Sequence, residues 1–83
     1  MFKNKGPGEA LNISGPQIAR LRQALPGRVS QRALAERLQL KGVDLGKNAV
    51  QQIEAGKRFV TDIELRAFAE VLGVDPRVLL YGE

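Results

Sequence analysis

Ser30-Gln31-Arg32-Ala33-Leu34-Ala35-Glu36-Arg37-Leu38, followed after a loop by Asn48-Ala49-Val50-Gln51-Gln52-Ile53-Glu54-Ala55-Gly56-Lys57-Arg58, is the stretch on which the fold turns. Ser30 is a good N-cap, because its hydroxyl can accept from a free N–H of the first helical turn. Ala33, Leu34, Ala35 and Leu38 follow at helical spacing, which predicts a helix from Gln31 to about Leu40 with Gly42 as a left-handed stop. The small side chains of Ala33 and Ala35 let another helix approach closely. The next helix is predicted from Gly46 or Lys47 to Ala55, closed by Gly56. Its apolar stripe consists of Val50 and Ile53 alone. Most of its circumference must therefore face solvent or a partner, with Lys47, Asn48, Gln51 and Gln52 on that side.

Outward from this pair, the same signals recur. Pro16 suits a first helical turn, where its missing N–H has no helical partner. Ile18, Leu21, Ala24 and Leu25 then mark an amphipathic helix from Pro16 to about Leu25, ended by Pro26-Gly27. Thr61-Asp62-Ile63-Glu64 reads as a capping box, followed by Leu65, Phe68, Ala69 and Leu72 on one face and terminated at Gly73. Asp75-Pro76 pairs a cap with a first-turn proline, and a short helix through about Leu80 offers Val78, Leu79 or Leu80, with Tyr81, to close the core. No segment alternates in the manner of a strand. The predicted fold is all-α, a compact bundle of five helices of about 6–12 residues, each too short to persist alone in water. Residues 1 to 14, with Gly6, Pro7 and Gly8, read as a flexible arm ahead of a domain at 15–83.

The chain has 83 residues, enough for one core. It contains neither cysteine nor histidine. Disulfide staples, thiolate or imidazole metal sites, and the Cys or His nucleophile and base systems are thereby excluded. No clustered acid and base emerges from the remaining Asp, Glu, Lys, Ser and Tyr side chains, so no catalytic residue, metal ligand or cofactor is assigned and an enzyme is not expected. The basic start Met1-Phe2-Lys3-Asn4-Lys5 runs into Gly6-Pro7-Gly8-Glu9 rather than an apolar segment, which argues against a signal peptide. Nothing approaches the roughly 20 apolar residues of a membrane span, and a cytoplasmic location is expected.

Net charge is +4, unevenly spread. From Gly15 to Arg58 nine basic residues face three acids, a local charge of +6, whereas Phe59 to Glu83 carries −3. A basic first part beside an acidic tail is what a surface aimed at a polyanion requires, although a solvated charged surface shows the same imbalance.

In order and approximate spacing, three segments resemble the phage Cro and repressor helix-turn-helix family. Ser30 to Leu38 is similar to its scaffold helix, Asn48 to Arg58 to its recognition helix, and Leu65 to Leu72-Gly73-Val74 to the helix that follows. The resemblance spans roughly Pro16 to Leu80 and implies a lambda repressor-like, sequence-specific DNA-binding domain acting as a repressor-like transcriptional regulator. One departure is plain. Leu38 and Val50 lie twelve positions apart, whereas the resemblance implies about seven, so the turn carries an insertion of about five residues within Gln39 to Gly46. An extra helical turn and a longer loop could absorb it, with Leu45 in the core and Asp44 as a candidate cap.

A protruding helix fits the major groove, where Asn and Gln amides offer donor and acceptor together to adenine. Lys47, Asn48, Ala49, Gln51 and Gln52 are therefore the expected base-reading set, Ala49 through a thymine methyl. The resemblance singles out Asn48 and Gln52. It also implies phosphate contacts from Gln31, which opens the scaffold helix, and from Lys57 and Arg58 behind the recognition helix, with Arg32 and Lys41 as further candidates. Each has a plainer alternative: an amide-rich face can be merely solvated, and cations after a helix complement its dipole. Glu54, among cations, is expected in a salt bridge, for example to Arg37. Lys3 and Lys5 could track DNA from the arm.

The expected partner is double-stranded DNA, bound on paired half-sites by a homodimer for which Phe59, Val60, Val78, Leu80 and Tyr81 are candidate contacts. A protein-interaction module, such as the antitoxin of a toxin pair, is the alternative from another class. No membrane partner is expected.

Overall fold

In the computed structural model, residues 7–82 are described, Pro7 through its backbone only. A 3-10 turn at Pro7–Glu9 precedes α1 (Gly15–Ala24), α2 (Gln31–Leu40), α3 (Lys47–Glu54), α4 (Asp62–Leu72) and α5 (Pro76–Tyr81), with no strand among the described residues. Lys3 and Lys5 lie outside those residues.

Local chemistry sets the ends. Ser30 Oγ accepts from Ala33 N at 3.0 Å. At Thr61 both halves of the capping box form, the hydroxyl accepting from Glu64 N and the Glu64 carboxylate from Thr61 N. Asp75 accepts from Arg77 N, with Pro76 behind it. One helix start differs from the sequence expectation, and another takes a cap that the sequence reading left unassigned. Ser14, the residue before α1, makes no side-chain cap, and Asn12 Oδ1 takes the Gly15 N–H instead at 2.7 Å. At α3 the N-cap is Gly46, and Asp44 provides no cap.

The insertion after α2 is absorbed by the helix and a tight stop. Gly42 adopts φ 82. That left-handed step lets Gly42 N reach Gln39 O at 3.0 Å and Val43 N reach Leu38 O at 3.0 Å, the paired bonds of a glycine-terminated helix. Leu45 then turns inward to 4% exposure, as the sequence allows, while Gln39 Nε2 donates to its carbonyl.

Every helix contributes to one core. Ile18, Leu34, Leu38, Val50, Ile53, Phe68 and Leu79 are wholly buried, with Val29, Ala35, Leu45, Ala67, Ala69 and Leu72 around them. Of the apolar positions read from periodicity, Ala24 is exposed and Leu21, Leu25 and Leu65 are half-buried. Leu79 is the α5 residue that closes the core, while Tyr81 stays 74% exposed. α4 lies against α1, α2 and α5, and α5 also against α1. α3 rests on α2 and α1, so its remaining circumference stays uncovered.

Candidate nucleic-acid interface

Val50 and Ile53 anchor α3, each at 0% exposure. Burying two such side chains stabilises the docked helix by roughly 1.5–3 kcal/mol apiece. With the anchors inward, Lys47, Asn48, Gln51 and Gln52 point outward, all exposed. The Lys41–Gly46 segment does not cover them. Ala49 differs from the other four expected readers: its methyl is half-buried and packs against the core, leaving only part of it for a partner.

The back of α3 is held by an ion pair. Glu54 accepts from Arg22 Nε at 2.7 Å and from Arg22 Nη2 at 3.0 Å, a two-pronged pair joining α3 to α1. Gln31 Nε2 adds a third bond to the carboxylate at 2.9 Å, and Arg22 Nη1 donates to Val29 O at 3.0 Å. The pair is largely out of water, with side-chain exposures of 13% and 6%. Its hydrogen bonds to Glu54 raise the Arg22 pKa above the ordinary guanidinium value, against the opposing effect of burial. The expected partner Arg37 is a correction: it is exposed on α2, whereas Glu54 faces α1. Gln31 is likewise half-buried and turned to Glu54, so it braces α3 from behind.

Arg58 is also committed internally. Its Nη1 and Nη2 donate to Glu64 at 2.9 and 3.1 Å, and Nη1 also donates to Phe59 O. The guanidinium holds the Glu64 carboxylate below its usual range and has its own pKa raised in return. Lys57, one residue earlier, stays exposed, as do Arg32 and Lys41, and none of these three side chains makes a hydrogen bond or ion pair among the described residues. The Arg22 and Arg58 guanidinium forks are thus held in internal ion pairs, while Lys57, Arg32 and Lys41 stay exposed.

The sequence did not single out Asn12. Its Nδ2 donates to Ile53 O at 3.0 Å and Arg58 O at 2.8 Å, spanning the last turn of α3 and the segment behind it. Leu11 N adds a bond to Gly56 O at 2.8 Å. The only local signal is an asparagine three residues before Gly15-Pro16, the spacing of a side chain that caps a first turn. The bonds to Ile53 O and Arg58 O reach 41 and 46 positions along the chain and leave no trace in the sequence.

Among the described residues no group of His, Cys, Asp or Glu could hold a metal ion, and no helix is long and apolar enough to cross a membrane. The family model for the helix-turn-helix domain matches residues 15–80. The chain belongs to that family. Searches of curated proteins and of solved structures return no match. As a helix-turn-helix domain, the chain has a DNA-binding architecture of a typically non-enzymatic kind.

Proposed function

We propose that this helix-turn-helix domain binds double-stranded DNA sequence-specifically and acts as a repressor of the Cro type, with α3 in the major groove. The observation that carries the proposal is the outward, uncovered amide face of α3, Asn48, Gln51 and Gln52, standing on two buried anchors between the free cations Lys47 and Lys57. A helix pinned from behind by Arg22–Glu54 presents those amides rigidly, which is what bidentate contact with adenine requires. Lys47 reaches guanine or phosphate, and the exposed part of Ala49 meets a thymine methyl. Lys57, Arg32 and Lys41 hold phosphates. Gln31 and Arg58 act mainly as braces, because a phosphate would have to displace Glu54 or Glu64. The binding unit is residues 15–83 together with Leu11 and Asn12, which are bonded to Gly56, Ile53 and Arg58.

Exposed Phe59, Leu80 and Tyr81 offer a surface to a second copy. Two copies would read half-sites about 34–36 Å apart, one turn of the duplex.

Selection from a random duplex library at stated salt, followed by binding of variants, tests this. On the selected site Asn48→Ala and Gln52→Ala each cost about 1–3 kcal/mol and spare random DNA, whereas Lys57→Ala weakens all sequences alike. Identical behaviour of the two classes refutes the division into readers and clamps. Reporter expression from a promoter carrying the selected site should fall when the protein is present; a rise would overturn the repressor assignment.

A further inference from the structure

We propose that Asn12 is the positioning residue of this interface: its amide fixes the end of α3 and the cation-bearing turn behind it against α1, and through them the discrimination between DNA sequences. The inference rests on the DNA-binding proposal above and adds a residue outside the helix-turn-helix unit.

Three partners define the arrangement. The two Nδ2 protons go to Ile53 O at 3.0 Å and Arg58 O at 2.8 Å, while Oδ1 accepts from Gly15 N at 2.7 Å. Two carbonyls can only accept and an N–H can only donate, so the chemistry of the partners admits one orientation of the amide. Ile53 O, in the last turn of α3, accepts from Gly56 N at 3.0 Å, and the Asn12 amide adds a second bond to it from outside the helix. Arg58 O lies just beyond Lys57. A single side chain thus ties the reading helix, the clamp segment and the start of α1 together.

The surroundings leave little slack on this side. A Cβ on Gly15 would collide with Ile53 O and come within 2.9 Å of Asn12 Oδ1, so α1 and α3 touch backbone to backbone there. The opposite end of α3 is held by the packing of Val50 and by α2, with no side-chain cap at Gly46. The polar ties that orient α3 thus lie at its C-terminal end.

Reading a base edge while Lys57 meets a phosphate needs a set distance between the amide face and the clamp. Contacts to phosphate alone tolerate a shifted helix, because that attraction is independent of sequence. Loosening the tether therefore costs selectivity before it costs general affinity.

Asn12→Asp is nearly isosteric, keeps an acceptor for Gly15 N and removes both donors. Asn12→Ala removes all three bonds. Asp75→Ala, which unties the cap of α5 away from α3, serves as a control for lost stability. For each variant, the affinity ratio between the selected and a random duplex is measured at one salt concentration. Urea unfolding and residual dipolar couplings of the α1 and α3 amides in the free protein accompany it. Both Asn12 variants are expected to lower the ratio about tenfold, the loss of one good base contact, with random-duplex affinity retained and the α3 couplings rotated relative to α1. Asp75→Ala should change neither ratio nor couplings. An Asn12→Asp protein with the parent's ratio and couplings overturns the inference, and so does an equal loss of ratio in Asp75→Ala. Should the parent itself fail to discriminate, the DNA-binding proposal falls and the couplings alone decide the tether.

Discussion

Replacing Arg22 by methionine should be among the most damaging single changes to this domain, and the structure says why. The guanidinium supplies two of the three hydrogen bonds to Glu54, whose side chain is only 6% exposed. Arg22→Met leaves a buried carboxylate with one amide donor from Gln31, and it strips Val29 O of its bond from Nη1. Removing one partner of a buried pair costs about 3–5 kcal/mol. An 83-residue domain has roughly 4–12 kcal/mol in total, so the variant is expected to sit close to its unfolding threshold. The corresponding fall in Tm is on the order of 12–24 °C for the lower figure. Glu54→Leu alone strands the guanidinium and is expected to be costly too, whereas the double variant Arg22→Met with Glu54→Leu removes both charges together. Replacing a buried pair by apolar groups of similar volume is often close to neutral, so the double variant should recover most of the stability lost in Arg22→Met. Urea unfolding followed by circular dichroism gives the four stabilities, provided the slope m is unchanged. A loss below about 1 kcal/mol in Arg22→Met would refute the reasoning, because that is the scale of an exposed pair. A double variant as unstable as the sum of the two singles would refute it as well.

Other outcomes follow from the same coordinates. Gly15→Ala forces α1 and α3 apart at Ile53 O and should destabilise the fold by about 1–3 kcal/mol, read in the same unfolding assay. Glu64 has its pKa depressed from the ordinary 4.5, chiefly by the Arg58 guanidinium, so its contribution is present above that pH and is lost as pH falls through the lower folded value. Glu64→Gln should therefore flatten the loss of stability between about pH 5 and the acid limit, and an unchanged acid limb would count against the pair. With phosphate contacts from Lys57, Arg32 and Lys41, and from Lys47 where it meets a phosphate, log Kd should change with log salt at a slope of magnitude about 3–4, reduced by about one in Lys57→Ala. A salt-independent affinity would point to a protein partner instead of DNA.

Much of the architecture was legible because its signals are short-range. Ser30, Thr61 with Glu64, and Asp75 with Pro76 act on N–H groups two or three residues away, and each forms the bond its spacing implies. The lean apolar stripe of Val50 and Ile53 likewise announced a helix with a bare face, since burial at helical period leaves the other side unpaired. Pairing over long separations was not legible. Glu54 had several cations within reach in principle, and only the way α3 crosses α1 chose Arg22, 32 positions away, over Arg37. The same holds for Arg58, which looked like a free clamp until its proximity to Glu64 was fixed by the turn into α4. Asn12 is the sharpest case, because backbone carbonyls carry no residue identity and a sequence cannot mark which of them a side chain will meet. Local propensity and burial pattern thus set the helices and their faces. Which polar groups ended bound and which stayed free was decided by the angles at which those helices pack.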